Sequence, residues 1–170
     1  MNALSRDPKY AYPHSRLAKQ AYDSGDLKTA ARHSRAACEL EPNDETLWFR
    51  LALVLLDLQR LGEAITVLGP ALERFPASSD LHGMMGRAFG QSGMVNESEE
   101  AIRYSITLNE KNETSWYNLT FCLMLQGRFD ESRTALRRAV DNGYPDADAV
   151  ERFDAMLYSP SSSFVKKKAR

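Results

Sequence analysis

Three histidines, two cysteines and one run of carboxylates are the residues of this 170-residue chain whose types suit catalysis or metal binding. His14, His33 and His82 have no partner at metal-ligand spacing. Glu97, Glu99 and Glu100 open a helical segment, where carboxylates suit the positive end of the helix dipole better than acid–base work. No Ser/His/Asp set can be assembled for nucleophilic attack. Gly83, Gly86, Gly90 and Gly93 fail as a phosphate loop, because the spacing is not Gly-x-Gly-x-x-Gly and a helix rather than a strand precedes them. Two readings of that run stay open. Gly83 and Gly90 leave a pit beside Arg87 where a ligand backbone comes close, or the segment is a weakened helix, each interior glycine costing about 1 kcal/mol against alanine. Cys38 and Cys122 both fall in apolar helical stretches and read as buried, reduced thiols. The expectation is a chain with no catalytic residue, no metal site and no cofactor, hence not an enzyme.

The elements that position these residues follow one period. Trp48 and Trp116, with His82 midway, are spaced by 34 residues. The same shift superimposes Leu17, Leu51, Met85 and Leu119, then Ala18, Ala52, Gly86 and Thr120. It also superimposes Ala30, Ala64, Ser98 and Ser132, and Ala37, Ala71, Ser105 and Ala139. A fixed period of this length marks stacked helical hairpins, none able to bury its apolar face alone. Apolar residues recur at helical spacing between turn-forming groups such as Ser24-Gly25-Asp26 and Glu41-Pro42-Asn43-Asp44. Eight helices are expected, at about 12–24, 27–40, 45–58, 61–74, 79–92, 95–108, 113–126 and 129–142. A ninth, over about 146–158, carries Asp154 in the small-residue column, as a helix with no further partner would. The division is a leader, 1–10; four repeats, 11–44, 45–78, 79–112 and 113–146; a capping helix, 147–158; and a mobile basic tail, 159–170. The fold class is all-α.

Composition excludes some partners. Hydrophobic residues make up 43% of the chain and charged residues 26%, which argues against global disorder. Lys166, Lys167, Lys168 and Arg170 stand in a tail without acids, so the rest of the chain carries −5, the net −1 less these four charges. An acidic body holds nucleic acid poorly, since affinity there rests on many cation–phosphate contacts. No apolar run approaches the length of about 18 residues that a membrane span needs, and no charged start with an apolar run marks a signal peptide. Neither nucleic-acid binding nor membrane insertion is expected, and the expected location is cytoplasmic. The basic tail reads as solvated.

The spaced columns resemble the tetratricopeptide repeat (TPR) family. Carrying the resemblance are Trp48/His82/Trp116, Leu17-Ala18 and its equivalents, the turns from Gly25 to Ala30 and Gly127 to Ser132, and the repeat-closing Pro42, Pro76 and Pro145. Ser98 and Ser132 stand where alanine is usual, His14 and His82 where an aromatic is usual, and Glu110 where proline is common. The resemblance implies a right-handed α-solenoid of antiparallel helix hairpins, whose first helices line a concave face that binds peptides or partner helices.

On that implied face repeat 1 presents Tyr12, Arg16 and Lys19, repeat 2 Phe49, Arg50, Leu53 and Leu56, repeat 3 Met84 and Arg87, and repeat 4 Tyr117, Asn118, Phe121 and Met124. The expected site is apolar and aromatic, with a cationic ladder of Arg16, Lys19, Arg50 and Arg87. Such a surface suits a protein or peptide segment with apolar side chains and at least one carboxylate. The alternative is that the side chains pack on one another and the cations pair with local acids such as Asp23 and Asp57. The family's clamp for C-terminal carboxylates needs lysine, asparagine and arginine at set positions, which here hold Ser15, Lys19, Arg50, Asp80 and Met84, or Phe49, Leu53, Met84, Thr114 and Asn118. Neither set is the clamp, so chaperone tails are not the expected ligand. Other readings are a self-assembling scaffold (a homo-oligomer), a secretion-type chaperone, or the regulatory portion of a larger enzyme.

Overall fold

The computed structural model describes residues 11–146 and 148–158; the leader 1–10 and the tail 159–170 lie outside the described residues. The helices are α1 Ala11–Asp23, α2 Leu27–Leu40, α3 Glu45–Asp57, α4 Leu61–Arg74, α5 Ser79–Gln91, α6 Val95–Leu108, α7 Glu113–Leu125, α8 Phe129–Asp141 and α9 Ala149–Tyr158. No strand occurs among the described residues. The first eight start and stop within a residue of the 34-residue pattern, whereas α9 begins at Ala149 rather than near 146.

Both kinds of turn repeat in register. Within each hairpin a left-handed residue reverses the chain at Gly25, Gln59, Gly93 and Gly127. Three are glycine, which adopts positive φ without a Cβ clash, while Gln59 is held at φ +57°. Between hairpins the helix starts are capped at the same spacing: Asp44 accepts from the Thr46 amide, Ser78 from Leu81, and Asn112 from Ser115. Ring N–H groups bind the same turns. Trp48 Nε1 donates to the Pro42 carbonyl (2.9 Å) and Trp116 Nε1 to that of Glu110 (2.8 Å). His82 Nε2 lies 3.0 Å from the Pro76 carbonyl, so histidine preserves the tryptophan's bond. Glu110 can replace proline because only its carbonyl is used.

The small columns are where α1 meets α2, α3 meets α4, and so on along the stack. Ala30, Ala64, Ser98 and Ser132 are all buried, as are Ala18, Ala52, Gly86 and Thr120 opposite them. In repeats 3 and 4 the contact is polar: Ser98 Oγ donates to the Gly86 carbonyl and Ser132 Oγ to that of Thr120, each at 2.8 Å. The glycine run has a packing reason. A Cβ at Gly86 would lie 2.4 Å from Ile102 Cγ1 and 3.1 Å from the Ser98 carbonyl oxygen. One at Gly83 would lie 2.7 Å from Ser115 Oγ. Ser115 belongs to a buried polar cluster: its Oγ meets Ser105 Oγ at 2.6 Å, Ser105 Oγ donates to the Ser79 carbonyl, and Asn112 Nδ2 donates to Ser79 Oγ and to Asp80.

Larger columns fill the seams between hairpins. Leu51, Leu55, Leu56, Leu68 and Leu81 belong to one continuous core from α1 to α5; Ile102, Leu119 and Leu123 form the next cluster, from α6 onward. At the far end Leu136, Ala149 and Phe153 close the stack of α8 and α9. Asp154, in the small-residue column of α9, is held by Arg133 of α8, which grips both its oxygens. Cys38 and Cys122 are buried free thiols, and burial pushes the Cys38 thiol up to about 12. No described helix is long and apolar enough to cross a membrane.

Urea denaturation followed by circular dichroism checks the two backbone arguments with opposite signs. Gly86→Ala is expected to lower stability by about 1–3 kcal/mol through overpacking. Gln59→Gly is expected to raise it by about 0.5–1 kcal/mol by relieving the left-handed glutamine.

Candidate functional site

The odd-numbered helices line one face of the stack, and two clefts open on it. The larger, about 570 Å³, lies between α5 and α7, with Arg87, Gly90, Tyr117, Asn118, Phe121 and Tyr144 among its lining residues. Its apolar wall is a stripe on α7 at Tyr117, Phe121 and Leu125, a spacing of four that puts all three on one side of the helix. Phe121 is 49% exposed and Leu125 67%. The smaller cleft, about 400 Å³, lies between α1 and α3 and includes Lys19, Tyr22, Phe49, Arg50 and Leu53.

Aromatic contacts hold the larger cleft in shape. Tyr117 stacks on Tyr144 with centroids 4.0 Å apart and meets Phe121 edge-on at 4.9 Å. Burial, together with a hydrogen bond to Tyr117, pushes the Tyr144 phenol up to about 12, so it stays neutral. Tyr144 sits in the turn after α8 and returns to this face; it is absent from the residues expected for the groove. Only its place beside the Asn142-Gly143 turn could have hinted at it.

Between the clefts the charges are satisfied internally. Asp57, at the end of α3, accepts from Arg87 Nη2 at 2.9 Å and from Tyr22 Oη at 2.7 Å. The hydrogen bond to Asp57, with burial second, raises the Tyr22 phenol. Arg50 Nη1 donates to Ser15 Oγ at 2.9 Å, and Lys19 pairs with Asp23 at 2.6 Å where both are exposed. Of the expected ladder, Arg16 is exposed and has no described side-chain partner. The cations are thus less available than their spacing suggests.

Four of the expected residues, Arg87, Tyr117, Asn118 and Phe121, converge on the larger cleft. Lys19, Phe49, Arg50 and Leu53 converge on the smaller one. Tyr12 and Arg16 are exposed on α1 outside both lining sets. Met84 corrects the expectation: it is 4% exposed and belongs to the core cluster, because its column turns into the α3–α5 seam. Leu56 is fully buried for the same reason. Met124 packs against the α8–α9 cluster. Gly83 offers no pit, since Ser115 fills that space, whereas Gly90 does line the cleft beside Arg87.

Two of the histidines meet across the first hairpin. His14 Nδ1 lies 2.8 Å from His33 Nδ1, a pairing of α1 with α2 that their spacing did not reveal. Desolvation, with the nearby charge of Arg32, lowers the His33 pKa, which favours its neutral ring. No group of three potential metal ligands occurs among the described residues.

Two family profiles described as Tetratricopeptide repeat match the sequence, over residues 21–88 and 115–138. The chain is a TPR protein. No curated protein matches it in sequence. Solved structures share the fold at low identity. TTC0263, a thermophilic TPR protein in Thermus thermophilus, superposes with a TM-score of 0.74 at 20% identity, over 88% of this chain and 81% of that one. A crystal structure of MamA gives 0.69 at 16%, over 94% and 86%. The first TPR of Spaghetti (RPAP3), bound to an HSP90 peptide SRMEEVD, gives 0.65 at 13%, over 71% and 96%. At these identities the likeness is one of fold, a TPR α-solenoid of antiparallel hairpins.

The Asp57 bridge gives a measurable consequence. Asp57→Ala is expected to cost about 1–2 kcal/mol in urea, the worth of a partly buried pair of charged hydrogen bonds. Ultraviolet titration of the same variant should find the Tyr22 phenol moved down toward its ordinary value.

Proposed function

We propose that this TPR protein is a non-catalytic interaction module that takes an apolar segment of a partner protein into the concave cleft between α5 and α7. The observation that carries this reading is the stripe of Tyr117, Phe121 and Leu125, aromatic and apolar yet open to water. Exposed aromatics clustered in a concavity are what binding anchors require. Stripe residues four apart match an amphipathic helix or an extended segment with regularly placed apolar side chains. The Spaghetti TPR, solved with an HSP90 peptide bound, supports peptide capture by a TPR fold, although the clamp positions for an acidic chaperone tail are absent here. A carboxylate on the partner is accommodated by displacing Asp57 from Arg87, which lines the cleft; the smaller cleft at Phe49 and Arg50 serves as a secondary contact.

A second reading, end-to-end self-assembly into a scaffold, is favoured by Leu17. It is 42% exposed, while Leu51 in the same column of the next repeat is 1% exposed under the preceding hairpin. A second copy would cover it in the same way.

Affinity capture with mass spectrometry, comparing the parent with Phe121→Ala/Tyr117→Ala, tests the first reading. The double variant is expected to lose the specific partner while its circular dichroism spectrum is unchanged. Retention of that partner removes the cleft from the proposal. Light scattering that shows a monomer throughout the micromolar range removes self-assembly.

A further inference from the structure

The larger cleft has a candidate occupant within this chain, and three observations lead to it. The first is direction. Arg133 of α8 meets Asp154 of α9, and Leu136 clusters with Ala149 and Phe153, so residue numbers rise on α9 as they fall on α8. The two helices are therefore antiparallel. The end of α9 comes out at the edge where α8 begins, which is also the edge where α7 ends at Leu125. Phe153 and Val150 of α9 share a cluster with Tyr117 and Met124 of α7, so α9 is α7's neighbour.

The second is reach. Residues 159–163 read Ser-Pro-Ser-Ser-Ser, a spacer with no apolar anchor, and Phe164-Val165 follow as the apolar pair of the segment. Five or six residues extended span roughly 17–20 Å. Crossing one neighbouring helix takes about 8–10 Å, and the middle of the next gap about half as much again. Phe164 can therefore reach the mouth of the cleft at Leu125 and Phe121.

The third is charge. The edge that the segment must cross carries Glu97, Glu99 and Glu100 of α6 and Asp130 and Glu131 of α8. Arg128, bonded to Glu99 and Glu131, and Arg103, bonded to Glu99, stand among these carboxylates. Glu97 and Glu100 are exposed and have no ion-pair partner among the described residues. Lys166, Lys167, Lys168 and Arg170 follow the apolar pair directly. Unlike charges at this edge attract across a Debye length of about 8–10 Å.

We propose that residues 159–170 occupy the α5–α7 cleft of their own chain, Phe164 and Val165 against Phe121 and Leu125 and the basic residues against the acidic edge. The segment is then a built-in competitor that an incoming partner must displace. This rests on the reading of the cleft as a binding site and adds its regulation. A tether this short sets an effective concentration on the order of 1 mM, so a tail that binds with a Kd of about 100 µM when free would weaken an external competitor about tenfold.

The test uses a fluorescein-labelled peptide with the sequence of residues 159–170, titrated into the full chain and read by anisotropy. The chain carrying Phe164→Asp is expected to bind the peptide about tenfold more tightly than the parent. Binding should fall as salt rises from about 50 to 500 mM. Phe121→Asp or Leu125→Asp, added to Phe164→Asp, is expected to abolish it; both side chains are substantially exposed, and circular dichroism confirms that each variant folds. Equal affinity for parent and Phe164→Asp chains overturns the proposal, as does binding that survives both cleft variants. A parent that light scattering shows to be dimeric, and that Phe164→Asp makes monomeric, also overturns it, placing the segment in a second copy. If partner capture depends on Phe121 but not on Phe164, the tail proposal fails while the cleft reading stands.

Discussion

The close approach of the two helices within each hairpin is the constraint on which the rest depends. A residue larger than the alanine, glycine, serine or threonine found in the small columns would push the pair apart. The column spacing would then no longer carry a constant step from one repeat to the next. Gly86 shows how narrow the tolerance is, since the Ile102 side chain occupies the place of its missing Cβ. The concave face, with its clefts, is a by-product of that regular step. Displaced hairpins would close or flatten it.

Two solutions to the same packing problem occur in one chain. At these columns the first two hairpins meet through alanine on alanine, a contact made by dispersion and burial. The last two meet through serine hydroxyls that donate to carbonyls across the contact. The seam from α5 to α7 adds the linked hydroxyls and amide of Ser79, Ser105, Ser115 and Asn112, and no described buried side-chain polar atom lacks a partner. A satisfied buried network costs little in net stability and prescribes its partners' orientation, because hydrogen bonds fail when bent.

Much of this was legible in the sequence because a repeat states each instruction several times. The period, the helix boundaries, the small columns and the turn positions all follow from spacing. The site was legible in part. Reading columns outward found Arg87, Tyr117, Asn118 and Phe121, which do converge. It missed that the face curves, so that Met84 and Leu56 rotate into the seam between neighbouring first helices. Contacts between positions with no periodic relation escaped as well. Tyr22 joining Arg87 on Asp57, His14 against His33, and Tyr144 folding back onto Tyr117 are set by side-chain length and turn path, on which periodicity is silent.

The serine-rich seam has a consequence for how the array comes apart. A hydroxyl pulled from its carbonyl is met at once by water, whereas a leucine pulled from its neighbours meets nothing that replaces them. Along the seam from α5 and α6 to α7 the hydroxyl contacts therefore give way before the apolar ones of Ile102 with Leu119 and Leu123, and the larger cleft straddles the line where they do.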